Sequence, residues 1–396
     1  MQVQTGQQSS LPAADPASAA HSEIVAGCLR SRIASAGGSI SFAEFMQLAL
    51  YAPGLGYYVA GSRKFGADGD FVTAPEVSPL FGRVLGAQCA PILGEIPGAD
   101  ILELGAGSGA LAVQILSKLQ ELAALPERYR ILEPSAELQS RQKSRVAELP
   151  EDLARRVEWI TDWPANLVGI VLANEVADAL PFARFVKRQD TVNELCVTSA
   201  GSGFDWCERI APTRLAEAVR NIEKDIGSRL PDGYVSEVCL ALPQWIADLA
   251  DCVDRGMLFL FDYGLSRREY YAAERDQGWL RCHFRQRAYD NPLILPGIQD
   301  LTAWVDFSAV AEAAVKRGMQ VSGYVTQAHF LLHGGLQDEL DNFSDLQIRE
   351  QVDLSRQIKI LTLPGEMGEN FKCLGLAKNL TDTPAVFELS DRAHIL

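Results

Sequence analysis

From residue 99 onward the spacing of apolar positions changes repeatedly, and each change marks an element. Residues 100–104 form a short apolar run suited to a strand. After it, "ALAVQILSKLQEL" places Leu111, Ile115, Leu119 and Leu122 on one stripe, the mark of an amphipathic helix. "YRILE" (129–133) gives a second strand, followed by a charged helix to about 148. "VEWIT" (157–161) and "VGIVLAN" (168–174) give a third and a fourth strand. This alternation predicts an α/β fold, a mostly parallel sheet with helices on both faces. Residues 175–255 break the rhythm and read as an insertion. They hold antiparallel pieces ("ARFVKR", "VNELCVT"), a helix with Leu215, Val219, Ile222 and Ile226 on one face, "YVSEVCL" and another helix. "GMLFLFDYG" (256–264) is apolar enough to be buried on both faces and resumes the sheet. A helix near 306–317 then leads to "MQVSGYVTQ" and "FKCLGLAKN", which suit antiparallel edge strands.

Ahead of the sheet, residues 22–50 carry helical patterns, with Ser41 as an N-cap and Glu44 at the capping-box position. A long loop rich in glycine, proline and aromatics follows, and loops of that length tend to be functional. The expected organisation is a disordered tail (1–20), N-terminal helices and an active-site loop (21–98), a main domain (99–380) with its insertion (175–255), and a loose C-terminal tail (381–396).

Charge narrows the partners. The chain has 396 residues, 36 basic against 51 acidic, for a net charge of −15. A nucleic-acid or anionic-membrane surface usually needs a basic face, so neither is expected as the main partner. No apolar run is long enough to span a membrane. Eight cysteines lack the spacing of a zinc site and read as reduced thiols, so no metal is expected. No arginine precedes Arg30 and no signal-peptide stretch is present, which makes the bacterial cytoplasm the expected location.

The chemistry concentrates at "ILELGAGSGAL" (101–111). Gly105, Gly107 and Gly109 follow a strand and open a helix, where glycine permits positive φ and a close approach of backbone to ligand. The spacing with Ala106 and Ala110 leaves a dinucleotide and other nucleosides equally open. Charge separates them. Glu103 would repel a pyrophosphate and attract an ammonium group, which favours S-adenosylmethionine (SAM), a cation without phosphates. Glu133, before Pro134 in "ILEPS", ends the next strand, where a carboxylate can accept both ribose hydroxyls of SAM or of NAD. Asp162 could accept from an adenine amino group, or begin a turn before Trp163. Asn174, Glu175 and Asp178 follow the fourth strand and place an amide and two carboxylates where the ligand's reactive end should lie. Carboxylates there can hold a guanidinium, and Asn174 and Glu175 also suit helix N-cap chemistry.

"GYYVAG", "GDFVTAPEVSPLFG", "LELGAGSGAL", "ANEVADALP", "FDYG", "PGIQDLTAWVDFS" and "LPGEMGENFKCLGLA" occur in the order of one known group. Together they resemble the MidA-like class I SAM-dependent methyltransferases, relatives of the mitochondrial complex I assembly factor that acts as a protein arginine methyltransferase. The resemblance runs from about residue 22 to 378. It implies a seven-stranded Rossmann-like fold, Gly105, Ala106, Gly107 and Gly109 as the cofactor turn, and Glu133 as the ribose ligand. It also implies that Thr73, Pro75 and Glu76 line the site. Ala106 departs from the proline that relatives often carry. The implied acceptor is a protein arginine, with a link to respiratory-complex assembly. Glu175 would be the main clamp on the guanidinium, Glu76 and Asp178 would support it, and the 51–82 loop would cover the cofactor. A SAM-binding docking protein, a small-molecule methyltransferase and a nucleotide-dependent dehydrogenase are the rival readings.

Overall fold

The computed structural model describes residues 11–60, 72–382 and 384–396. Helix α1 (Pro16–Ser35) begins inside the span expected to be disordered. Asp15 caps it by accepting the amide N–H groups of Ala17 and Ser18, and Pro16 occupies the first turn, where its missing N–H costs nothing. Strand β1 (Ser39–Ser41) and helix α2 (Phe42–Tyr51) follow. Ser41 caps α2 by accepting the Glu44 amide at 3.1 Å, while the Glu44 carboxylate pairs with Arg32. Part of the long loop (61–71) lies outside the described residues. Its second half is helical: α3 (Ala74–Val77) and α4 (Pro79–Glu95).

The main domain runs β2 (Asp100–Leu104), α5 (Ala110–Glu121), β3 (Tyr129–Leu132), α6 (Ala136–Val146), β4 (Val157–Ile160) and β5 (Leu167–Asn174). The insertion supplies β6 (Ala183–Arg188), β7 (Thr191–Ala200), β8 (Gly203–Ile210), a helix at Thr213–Ile226, β9 (Val235–Val238) and a helix at Leu242–Cys252. Then β10 (Val253–Leu265) re-enters the central sheet. It is followed by β11 (Arg281–Phe284), β12 (Arg287–Tyr289), β13 (Asp300–Thr302), β14 (Val305–Asp306), β15 (Gln320–Thr326) and β16 (Phe371–Lys378).

The central sheet has the order β15-β16-β10-β5-β2-β3-β4, with β14 joining the end of β10. Pairs from β10 to β4 are parallel, and β16 is antiparallel to both its neighbours. The two C-terminal strands end the sheet in antiparallel pairs, as expected; β15, antiparallel to β16, thereby runs in the same direction as the parallel strands. The strand periodicity of two sorts side chains between layers. Ile170, Leu172, Met257, Phe259 and Phe261 face α4 and α5, while Val171, Ala173, Leu258 and Leu260 face the helices at 242–252 and 307–315.

The insertion forms its own sheet, β1-β7-β6-β9, with β8 on β7, so the N-terminal strand closes the edge of an element more than 150 residues later in the chain, Ser41 pairing with Cys196. Phe42 and Phe45 of α2 pack with Phe182, Phe204 and Trp206. The extension and the insertion are therefore one unit. The C-terminal segment is not loose either: Val386 and Phe387 are buried, and Phe387 lies on Gly323 and Gly375 and stacks on Phe259 at 6.2 Å.

Candidate active site

The parallel strands β2, β3 and β5 all end at one edge, and the segments that leave them enclose a cavity of about 570 Å3. That is the crevice where open α/β sheets bind ligands. Gly105, Gly107 and Gly109 have φ of +59°, +52° and +81°, so the turn after β2 depends on glycine at three alternate positions. Gly105, Ala106 and Gly107 line the cavity; Gly109 does not. It starts α5, and a Cβ there would come within 3.3 Å of the Gln142 backbone.

Glu103 and Glu133 both line the cavity and are almost fully buried. Burial, with the nearby Glu133 charge, pushes Glu103 up to about 7 against the pull of its hydrogen bond from the Tyr129 hydroxyl at 2.8 Å. Glu133 Oε1 accepts the Ser135 amide at 2.9 Å, and its Oε2 accepts the Gln142 side-chain N–H at 3.2 Å. Pro134 lines the cavity beside it. Gln142 is fully buried on α6, donates also to the Gly107 carbonyl at 3.1 Å, and accepts from the Trp159 indole at 2.9 Å. One amide thus ties the glycine turn, the ribose-type carboxylate and β4 together. Sequence reasoning missed it, since a glutamine inside a polar helix carries no periodic signal.

Thr73, Pro75 and Glu76 bring the far side of the long loop onto the cavity. Glu76 accepts hydrogen bonds from Ser108 and, at 2.7 Å, from Arg145, so its charge is already matched by a guanidinium of the protein. That makes Glu76 a tether of α3 onto the glycine turn, a correction to its expected part in holding the acceptor. Gln114 adds a second tether by donating to the Pro75 carbonyl at 2.8 Å. Asp162 is exposed, accepts from the Thr161 hydroxyl at 3.0 Å and lies off the cavity. The turn after β4 swings it outward, and Trp163 supplies that wall instead.

At the end of β5, Asn174 and Glu175 line the cavity. Glu175 takes φ +54°, a conformation that a glutamate holds only when its surroundings fix it. Its amide donates to the Phe261 carbonyl at 2.9 Å, and its Oε1 accepts from Asn174 at 3.2 Å and from the Ala74 amide at 3.3 Å. Burial, then the Asp178 charge, push Glu175 up to about 8. The Asn174 Oδ1 is buried without a hydrogen-bond partner.

Asp178 lies off the cofactor cavity. It accepts from the Tyr263 hydroxyl and lines a second cavity of about 270 Å3, together with Glu175, Asp300 and Trp304. Asp262, unassigned from sequence although it stands in the "FDYG" block, sits beneath both. Its Oδ2 accepts the amides of Ala177 at 3.0 Å and Asp178 at 3.2 Å, and burial holds it and Asp178 well above the usual carboxylate range. Among the described residues, no lysine or arginine lies within ion-pair distance of Glu175, Asp178 or Asp262.

The cavity therefore suits a cation and resists a phosphate. Four glutamates (76, 103, 133 and 175) line it, Glu76 already paired with Arg145, and no lysine or arginine stands among the described lining residues. A pyrophosphate would bring negative charge into that field. SAM carries an ammonium and a sulfonium, and the glycine cradle, the Glu133 carboxylate and the unpartnered Asn174 Oδ1 would offer such a ligand backbone space and hydrogen-bond acceptors. No helix among the described residues is long and apolar enough to cross a membrane.

Comparison with known proteins agrees. Residues 84–325 match a family described as "Putative S-adenosyl-L-methionine-dependent methyltransferase". The chain is 29% identical over 396 residues to the mitochondrial protein arginine methyltransferase NDUFAF7 homolog of Drosophila melanogaster, covering 90% of this chain and 87% of that one. It is also 29% identical over 368 residues to protein arginine methyltransferase NDUFAF7 of Danio rerio, covering 85% and 82%. A crystal structure from Burkholderia thailandensis with S-adenosyl-homocysteine (SAH) bound superposes with a TM-score of 0.91 at 36% identity, covering 98% of this chain and all of that one. The chain is a member of the MidA-like class I SAM-dependent methyltransferase family.

Proposed function

We propose that this methyltransferase acts on an arginine side chain of a protein. One observation carries the reading: the half-buried Glu175 and the buried Asp178 and Asp262 lie beside the cofactor cavity, and no lysine or arginine among the described residues is within ion-pair distance of them. Buried like charges are costly, and a bound guanidinium would offset that cost. The names of the relatives from fly and zebrafish point the same way. An acceptor linked to respiratory-complex assembly belongs to the same proposal and rests on the family resemblance.

SAM, when bound, supplies a methyl group already activated by its sulfonium. The protein's share is to hold, orient and keep dry. The Gly105–Gly107 backbone and Glu133 hold the nucleoside, and Asn174 takes a donor at its free oxygen. Helix α3, tied down by Glu76 and Gln114, excludes water from above. Glu175 draws the guanidinium charge away from the reacting nitrogen, leaving electron density there for attack, and can take up the proton which that nitrogen loses.

The test is transfer of labelled methyl from SAM into a lysate of the source cell lacking this enzyme, with the modified residue mapped by mass spectrometry. Glu133→Ala serves as the cofactor-deficient control. Methylarginine formed by the wild type and lost with Glu175→Gln, at unchanged SAM affinity, is the expected result. Full turnover by Glu175→Gln would remove the clamp role, and label on another residue type would remove the arginine reading.

A further inference from the structure

Two tyrosines line the cofactor cavity, Tyr51 and Tyr58, the second of them in the "GYYVAG" block. Helix α2 ends at Tyr51, and the chain then folds back on that end. The Tyr57 amide donates to the Ala49 carbonyl and the Tyr58 amide to the Leu50 carbonyl, both at 2.9 Å. Gly56 makes the return possible, since a Cβ there would stand 2.5 Å from the Leu50 carbonyl carbon. The Tyr58 ring comes to stack on Tyr51 at 5.5 Å between centroids, and the buried Tyr57 meets it near edge-on at 5.1 Å.

Both hydroxyls are committed to the protein. Tyr51 donates to the Ala179 carbonyl and Tyr58 to Asp300 Oδ1, each at 2.8 Å. Burial, then the Asp300 charge, hold both phenols well above their ordinary value, so they stay neutral. What the pair adds to the cavity is therefore aromatic surface. It adds it on the β5 side, because Ala179 follows β5 and Glu175, at the end of β5, lines the same cavity. Glu133 stands on the other side, at the end of β3, and β2 with its glycine turn lies between them in the sheet.

A sulfonium makes a particular demand on its surroundings. It carries a charge but no N–H or O–H, so it cannot donate the hydrogen bonds by which carboxylates hold an ammonium or a guanidinium. Its charge is spread over three S–C groups, and aromatic rings attract such cations, as they do quaternary ammonium groups. With the ribose hydroxyls on Glu133, the part of SAM beyond the ribose extends past the glycine turn toward β5 and the tyrosine pair.

We propose that Tyr51 and Tyr58 form the wall that recognises the sulfonium, so that the enzyme tells SAM from SAH by the charge on sulfur. The proposal rests on the cofactor and not on which acceptor is methylated. As the methyl group leaves, the electron pair of its S–C bond stays on sulfur, which becomes neutral. The attraction of the wall is lost with that charge, so the site holds substrate in preference to product.

The test is calorimetric titration of the full chain with SAM and with SAH, which differ only in the methyl group and its charge. Tyr51→Leu and Tyr58→Leu should each weaken SAM binding about fivefold, while SAH affinity, which also reports folding, changes less than about twofold. Tyr58→Phe keeps the ring and gives up the bond to Asp300, and should retain the wild-type ratio of the two affinities. Equal losses for SAM and SAH in the leucine variants would reduce the pair to packing and overturn the proposal. A ratio that falls as far in Tyr58→Phe as in Tyr58→Leu would also overturn it, because recognition would then pass through the hydroxyl.

Discussion

Gln142 shows how much of a binding site is carried by residues that touch no ligand. Its amide spans the Gly107 carbonyl, Glu133 and Trp159, so the glycine turn and the ribose-type carboxylate keep a fixed separation. Alanine at 142 would leave Glu133 Oε2 and the Gly107 carbonyl each short of a donor in a buried place. We expect Gln142→Ala to weaken SAH binding about tenfold, equivalent to about 1.4 kcal/mol. Calorimetric titration reads this directly. An SAH analogue lacking ribose hydroxyls should lose much less, because the effect passes through Glu133; an equal loss for both ligands would reduce Gln142 to a general packing role. At the same scale, Glu175 at about 8 gives the rate a sign with pH. The clamp works as the anion, so kcat/KM should climb as pH rises through about 8, and a profile that falls over that range would exclude an ionised Glu175 from the free enzyme's working form.

Elements that build the sheet were legible because their chemistry is local. The runs at β5 and β10 are apolar on both faces, and the glycine turn announces itself by spacing. What failed was assembly from pieces far apart. Asp15 and Pro16 carry a plain helix-start signal, yet the Ser/Ala/Gln-rich composition around them suggested disorder. In "DTPAVFELSD" the apolar residues show no clear periodicity, and the groove that receives Phe387 exists only because Gly323 and Gly375 lie side by side on β15 and β16. Glu76 and Asp162 were legible as acidic residues near the site; whether a protein cation had claimed one and a turn had exposed the other depended on tertiary contacts. The C-terminal segment makes a clean test. Phe387 is almost fully buried against Phe259 and Phe330. Phe387→Ala should cost about 3 kcal/mol in urea unfolding while SAH affinity stays unchanged, since the cavity it opens lies away from the cofactor. A loss under 1 kcal/mol would return the segment to the status of a tail.

For the molecule as a whole, the active edge of the sheet is a place where stability is given up. Glu103, Asp178 and Asp262 are buried and Glu175 is half-buried at the carboxyl ends of β2, β5 and β10, and desolvation is the leading cause that raises each of them. The sign follows from linkage. A carboxyl group whose pKa is higher in the folded than in the unfolded chain favours folding while protonated, and that contribution is lost as pH rises through the folded value. For Glu175, raised from 4.5 to about 8, the loss begins above the unfolded value and is largely complete near pH 8. It amounts to about 3 kcal/mol between pH 5.5 and 8. Other groups titrate in the same range, and Lys372, lowered to about 8 by burial, adds an opposite trend from that pH upward. The comparison should therefore be between wild type and Glu175→Gln, in which the remaining trends largely cancel. Unfolding free energies from urea titrations should fall more steeply with pH for the wild type, so that the variant, of similar stability at pH 5.5, is the more stable protein at pH 8. Parallel curves would show that Glu175 is ionised in the folded protein throughout, and with it the case for a cation-demanding site would fail. Adding N-acetyl-arginine methylamide with SAH should narrow the gap at pH 8, because a bound cation lowers the cost of the same carboxylate that the substitution removes.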